Sequence, residues 1–176
     1  VAKRAQVALG TPSFKFKDRE GLLQAALQRA MDLHRDALEQ ALARGKGLDA
    51  QMAGFEVFWA RVENALEFPR ETLLRANAVY SSAVKGFREQ VGQSASEVGR
   101  LVFGLVLRLR DEGFIRARHD EDCVFFAQQF LFSSFAISQS AALGAVTGEA
   151  VKVEAARLNV ARSYQALFDG AADAAR

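Results

Sequence analysis

The sequence predicts an all-α fold, and three observations carry that reading. Its 176 residues contain only two prolines, and proline is the residue a helix interior tolerates least. Apolar residues recur at spacings of three and four along most of the chain, the period of a helix packed on one side. No segment shows the strict alternation of a half-buried strand, and no repeat is visible. Hydrophobic residues make up 50% and charged residues 25%, a globular balance. The length fits one core-forming domain with a small appendage. Fourteen phenylalanines point to bulky core packing or an aromatic-lined cavity.

Val1 to about Val7 reads as the end of a helix, and Ala8-Leu9-Gly10 as a turn. Thr11 to Phe16 reads as a short helix, with Thr11 as N-cap and Pro12 at the first helical position. Asp18 is the next N-cap. From there Leu23, Ala26, Leu27, Ala30, His34, Ala37, Leu38 and Ala41 form one stripe and predict a helix to about Arg44, ended by Gly45-Lys46-Gly47. Asp49 caps a second helix carrying Phe55, Phe58, Trp59, Val62 and Leu66. Phe68-Pro69 breaks it, because the residue before proline avoids helical dihedrals. Pro69 then starts a third helix with Leu73, Leu74, Asn77 and Tyr80. A long helix is expected from about Val84 to Glu112, weakened in its first half by Gly86, Gly92 and Gly99. Phe114 to His119 is a loop. Asp120 is expected to cap a Phe-rich helix to about Val146. Thr147-Gly148 turns the chain, and a last helix covers about Glu149 to Phe168 before a frayed tail. Short connections predict antiparallel neighbours, hence an antiparallel helical bundle of about six helices.

Charge is unevenly spread. Residues 1–20 carry Lys3, Arg4, Lys15, Lys17 and Arg19 against Asp18 and Glu20, while the whole chain has a net charge of +2. A basic end on a near-neutral body suits contact with phosphate. The single cysteine, Cys123, excludes an internal disulfide framework and fits a reducing compartment, so a cytoplasmic location is expected. No membrane span is expected, since the most apolar run, 101–107, is short and bounded by Arg100 and Arg108. No signal peptide is apparent, and the chain opens in what reads as mid-helix, so residues upstream are expected. No nucleophile–base pair, P-loop or dinucleotide fingerprint appears, and no His, Cys or carboxylate spacing fits a metal. Neither an enzyme nor a cofactor is expected.

The stretch VAKRAQVALGTPSFKFKDREGLL at 1–23 resembles the helix-turn-helix of TetR-type bacterial transcriptional regulators. The resemblance rests on Val1-Ala2, Ala5, Val7, Gly10-Thr11, Phe16, Asp18, Arg19-Glu20 and Leu22-Leu23, and most of all on the junction Phe16–Leu23 into a long helix. VLRLRDEGFIR at 106–116, followed by a helix from Asp120, is similar to that family's loop before its last two helices. The chain departs from the pattern at Gln6 and Ala8 around the turn. It departs again at Pro12, where a large apolar residue is usual, and at Ser13, where a tyrosine is common. The family's first helix is absent.

The resemblance implies a partial helix-turn-helix DNA-binding head over 1–17, a connecting helix over 18–44 and a ligand-binding and dimerisation domain over 45–176. The implied function is a ligand-responsive repressor that binds palindromic double-stranded operator DNA as a homodimer and is released by a small effector. A helical small-molecule-binding or interaction module without DNA binding is the alternative. Thr11, Ser13, Phe14, Lys15, Lys17 and Arg19 are the candidate DNA contacts; hydroxyls, ammonium groups and backbone amides there suit phosphate. Phe55, Phe58, Trp59, Asn77, Tyr80 and Gln129 mix large apolar surface with a few polar tips, as in a pocket for an apolar or aromatic effector, though core packing explains the aromatics equally well. His34, on the stripe of the connecting helix, joins them as a ligand candidate or as a hydrogen-bonded core histidine. Phe132, Phe135, Ala136, Leu158, Ala161, Tyr164 and Leu167 are the candidate dimer face.

Overall fold

In the computed structural model, residues 15–80, 87–148 and 152–173 are described, and among them the fold is all-α. Six helices follow in order: α1 (Arg19–Arg44), α2 (Ala50–Glu67), α3 (Pro69–Tyr80), α4 (Phe87–Asp111), α5 (Asp120–Thr147) and α6 (Val153–Asp173). No strand occurs among the described residues. Residues 1–14 of the head expected over 1–17 lie outside them.

Local chemistry sets most boundaries. Asp18 accepts a hydrogen bond from the Gly21 amide at 2.7 Å and starts α1. Asp49 does the same for α2 through the Met52 amide at 2.8 Å. Each carboxylate satisfies one amide the first helical turn leaves orphaned, worth about 1 kcal/mol. Pro69 opens α3, where its missing N–H is harmless. Gly113, at φ 82, ends α4. The Gly113 amide donates to Arg110 and the Phe114 amide to Leu109, the paired bonds of a left-handed helix stop.

Two expectations, the cap of α5 and the bounds of α6, are corrected. The N-cap of α5 is His119 rather than Asp120; the carboxylate that satisfies the turn is Asp122, which accepts from the His119 amide at 3.0 Å and the Arg118 amide at 2.9 Å. The long helix α4 forms as expected: it is unbroken at Gly92 and Gly99, because Val98, Val102, Leu105, Val106 and Leu109 are buried along it and outweigh about 1 kcal/mol of lost propensity per glycine. α6 starts at Val153, later than expected, and continues to Asp173; the alanines after Asp169 favour helix rather than fraying.

α2 is the hub. It touches every other helix, and ten of its eighteen residues are buried. The main core gathers Leu38 of α1, Val57, Phe58, Trp59 and Val62 of α2, Val102, Leu105, Val106 and Leu109 of α4, Phe126 and Phe130 of α5, and Val160, Tyr164 and Phe168 of α6. A fully buried phenylalanine such as Phe58 contributes about 1.5–3 kcal/mol. A second, smaller cluster forms where Leu27 and Met31 of α1 meet Leu23 and Leu74. On α1 the buried stripe is Leu27, Ala30, Met31, His34, Leu38 and Ala41; Met31 takes part, while Ala26 is exposed.

Candidate functional site

Between the two apolar clusters lies a polar seam. On the buried face of α1, His34 follows Met31 of the small cluster by one turn and precedes Leu38 of the main core by one turn. His34 is 5% exposed, and neither of its ring nitrogens has a hydrogen-bond partner. Burial, and the positive fields of Arg61 and Arg75, hold its pKa well below the ordinary 6.5, so the ring is neutral at physiological pH.

Arg61 of α2 reaches across to α5. Its Nη1 donates to the Leu131 carbonyl at 3.2 Å and to the Ser134 hydroxyl at 2.8 Å, while Nε is buried without a partner. Ser134 is fully buried and donates in turn to Leu131 at 3.0 Å. Burial lowers the Arg61 pKa to about 9, with the Arg75 charge adding to the effect. Burial lowers that of Arg75, on α3, to about 10. Among the described residues no carboxylate pairs with either guanidinium. Asn64, three residues after Arg61, and Thr72, three before Arg75, are also buried. Two largely desolvated cations, on α2 and α3, therefore lie within electrostatic reach of each other and of the unpartnered imidazole on α1, with Arg61 tied to α5.

The expected pocket residues are placed differently from one another. His34 belongs to this seam. Phe58 and Trp59 are core residues, 0% and 4% exposed, and Phe58 stacks edge-on against Phe130 at 5.3 Å. Phe55 is half-buried, with the Arg157 guanidinium 5.8 Å from its ring centre and 5.6 Å from that of Trp59. Asn77 and Gln129 are exposed; each lies on a helix face turned from the core, so neither lines an enclosed space with the others. The side chain of Tyr80 lies outside the described residues. Arg61 and Arg75 were not among the expected site residues.

At the other end of α1, Lys15, Lys17 and Arg19 are exposed. Thr11, Ser13 and Phe14 lie outside the described residues. Lys17 has φ 62, the left-handed geometry that turns the chain into α1. The turn sits tightly on α1: a Cβ at Gly21 would collide with the Phe16 carbonyl oxygen.

A third feature is an exposed apolar stripe. Phe125, Phe132, Leu143 and Val146 of α5 are 63%, 70%, 55% and 45% exposed. With Ala136 they follow one another at steps of seven, four, seven and three residues, which keeps them on one face. Leu158 of α6 is also exposed. Among the other expected interface residues, Ala136 is exposed and Phe135, Ala161 and Leu167 are half-buried. Tyr164 is a correction: it is an interior residue, 4% exposed, its ring packed among Phe58, Phe130 and Phe168 and its hydroxyl donating to the Gln51 carbonyl at 2.8 Å. α5 is, by length and composition, apolar enough to cross a membrane, with a mean hydropathy of 1.3 over eighteen residues, contrary to the expectation of no such segment. Its inner face carries Ser134 and Ser138, both buried against the other helices.

Compared with known proteins, the chain matches no family model, no curated protein and no solved structure.

Proposed function

We propose that the chain is a TetR-type, ligand-responsive transcriptional repressor that binds palindromic operator DNA as a cytoplasmic homodimer. The observation that carries this reading is the continuity of α1. One 26-residue helix runs from the exposed basic end at Lys15, Lys17 and Arg19 to His34 inside the body. A helix of that length spans about 39 Å, so a rearrangement around His34 moves the basic end as a lever.

The stripe from Phe125 to Val146, with Leu158, is the kind of apolar surface that a monomer rarely leaves in water. A second copy packed there pairs two basic ends across a two-fold axis. Half-sites one helical turn apart, about 34–36 Å, are then read together. An effector that binds the body in one arrangement better than the other shifts the population between DNA-competent and DNA-incompetent spacings.

The test is a binding assay of the full-length protein at fixed salt against duplexes flanking its own gene. Preferred binding to a palindrome, in a 2:1 protein-to-site complex, is the expected result. Equal affinity for a palindrome and for random duplex would sink the proposal.

A further inference from the structure

We propose that the seam between α1, α2, α3 and α5 is a binding site for an organic oxyanion, its negative headgroup held by Arg61, Arg75 and His34 and its apolar body lying along the small cluster of Leu27, Met31 and Leu74. This rests on the regulatory reading above and assigns the effector a chemical class.

A guanidinium buried without a counter-ion is among the most expensive groups a fold can carry, and native proteins pair such charges or bring them to water. Here two largely desolvated guanidiniums act on each other, and among the described residues no carboxylate lies between them. A fold stabilised only by itself gains nothing from this arrangement; a fold that receives an anion does. The donors are also set out for capture. Arg61 is anchored to α5 through Nη1, which fixes the guanidinium plane and leaves the Nε donor free. The His34 ring is enclosed with both nitrogens unused, although buried polar atoms are nearly always partnered. Arg75 brings a third cationic or polar donor from α3. Arg61 and Arg75 are strongly desolvated yet keep some accessible surface, so their guanidiniums are not sealed off by the packing. A planar guanidinium with a free edge suits carboxylate or phosphate oxygens. Leu74 precedes Arg75 directly, and Met31 lies one turn from His34, so apolar surface adjoins the headgroup position.

An oxyanion in this place ties α1 to α2 and α3 by charge-assisted hydrogen bonds, where the empty protein has repulsion. That difference gives the ligand unequal affinity for two positions of α1, the condition for a switch.

The experiment measures binding to the full-length protein without DNA, by thermal shift and calorimetry. The probes are benzoate, hexanoate and phenyl phosphate, each beside its neutral counterpart benzamide, hexanamide or phenol. At least one oxyanion is expected to raise Tm in a dose-dependent way while its neutral counterpart does not, and the carboxylate and phosphate arms identify the headgroup. Arg75→Met is expected to weaken that binding about thirtyfold or more without lowering the Tm of the empty protein, since it removes a largely desolvated charge that no carboxylate pairs among the described residues. Arg75→Lys is expected to recover part of the affinity. His34→Gln gives an independent reading should Arg75→Met fail to fold, and is expected to weaken binding as well. Equal binding of the neutral counterparts, no shift with any oxyanion, or unchanged affinity in both variants overturns the proposal. DNA binding is scored separately. Palindrome binding without oxyanion binding refutes this site alone, whereas oxyanion binding that leaves DNA affinity unaltered upholds the site and refutes its regulatory role.

Discussion

Gly54 of α2 leaves the space that the Tyr164 ring of α6 fills. A Cβ at residue 54 would overlap the tyrosine hydroxyl and stand 3.0 Å from Cζ, while the hydroxyl donates to the Gln51 carbonyl one turn earlier in α2. Gly54→Ala is therefore expected to destabilise the protein by about 1–3 kcal/mol, the usual effect of overpacking, despite the better helix propensity of alanine. Tyr164→Phe keeps the ring and is expected to cost about 1 kcal/mol. Urea denaturation reads both. An unchanged midpoint for Gly54→Ala refutes the close packing.

Acid titration separates two groups. The Glu112 carboxylate accepts the Ala50 amide at 2.6 Å and pairs with Arg108 at 2.7 Å, and these bonds, in that order, hold its pKa below the ordinary 4.5. A carboxylate with a lowered folded pKa stabilises the fold above the unfolded value and ceases to as pH falls through the folded one. The expected result is a fall in Tm below about pH 4.5 that is smaller in Glu112→Gln. An identical acid limb in the two proteins contradicts the contact.

The effect of His34 on stability sets in at higher pH. Its folded pKa lies below 6.5, by burial first and by Arg61 and Arg75 second. Below pH 6.5 the unfolded chain takes up a proton that the folded one refuses, so stability declines from that point downward. In His34→Leu this earlier decline is expected to vanish, with the empty protein at least as stable at neutral pH, since an unpartnered buried ring is replaced by an apolar one. A His34→Leu variant that keeps the same decline between pH 6.5 and 4.5 rules out His34 as its source.

Phe132→Asp and Leu158→Asp address self-association. Both side chains are more than half exposed, so the substitutions leave the interior untouched and are expected to change thermal stability of the isolated subunit little. Dimerisation, followed by sedimentation, is expected to weaken about thirtyfold or more for Phe132→Asp. Unaltered association in both variants places the partner surface elsewhere.

Lys17 couples backbone geometry to charge. It is the one non-glycine residue with positive φ among the described residues, a conformation that costs a side-chain-bearing residue about 1–2 kcal/mol. Lys17→Gly is expected to relieve part of that cost and to lower the salt dependence of DNA binding by about one phosphate contact. Loss of stability, or an unchanged salt slope, contradicts one half of the expectation each.

The helices were legible in the sequence wherever a cap carboxylate or a glycine marks the end. Asp18, Asp49 and Pro69 stand where they were expected because each acts within one turn of chain. The seam was not legible. Arg61 lies among Phe58, Trp59, Ala60 and Val62, and a charged residue in such a run reads by default as a solvated position. The available signal is that no acidic residue lies three or four positions from Arg61 on either side, so a surface ion pair along the helix was never open to it. That His34 is buried without a partner is likewise set by tertiary packing. Tyr164 fell among the small and apolar residues of α6, and only the absence of a side chain at Gly54, far away in sequence, turns it inward.

The first turn of α2 is where the most distant parts of the chain converge. The Ala50 amide is held by Glu112, 62 residues away, and the Gln51 carbonyl by Tyr164, 113 residues away. Arg108 also bonds the Leu48 carbonyl just before that turn. Closing loops of such length is entropically expensive and comes after local helices have formed. This turn is therefore expected to be among the last parts of the protein to lock during folding. Substitutions at Glu112 and Tyr164 are therefore expected to accelerate unfolding far more than they slow folding, so the lifetime of the folded state would be set away from both the buried seam and the exposed apolar stripe.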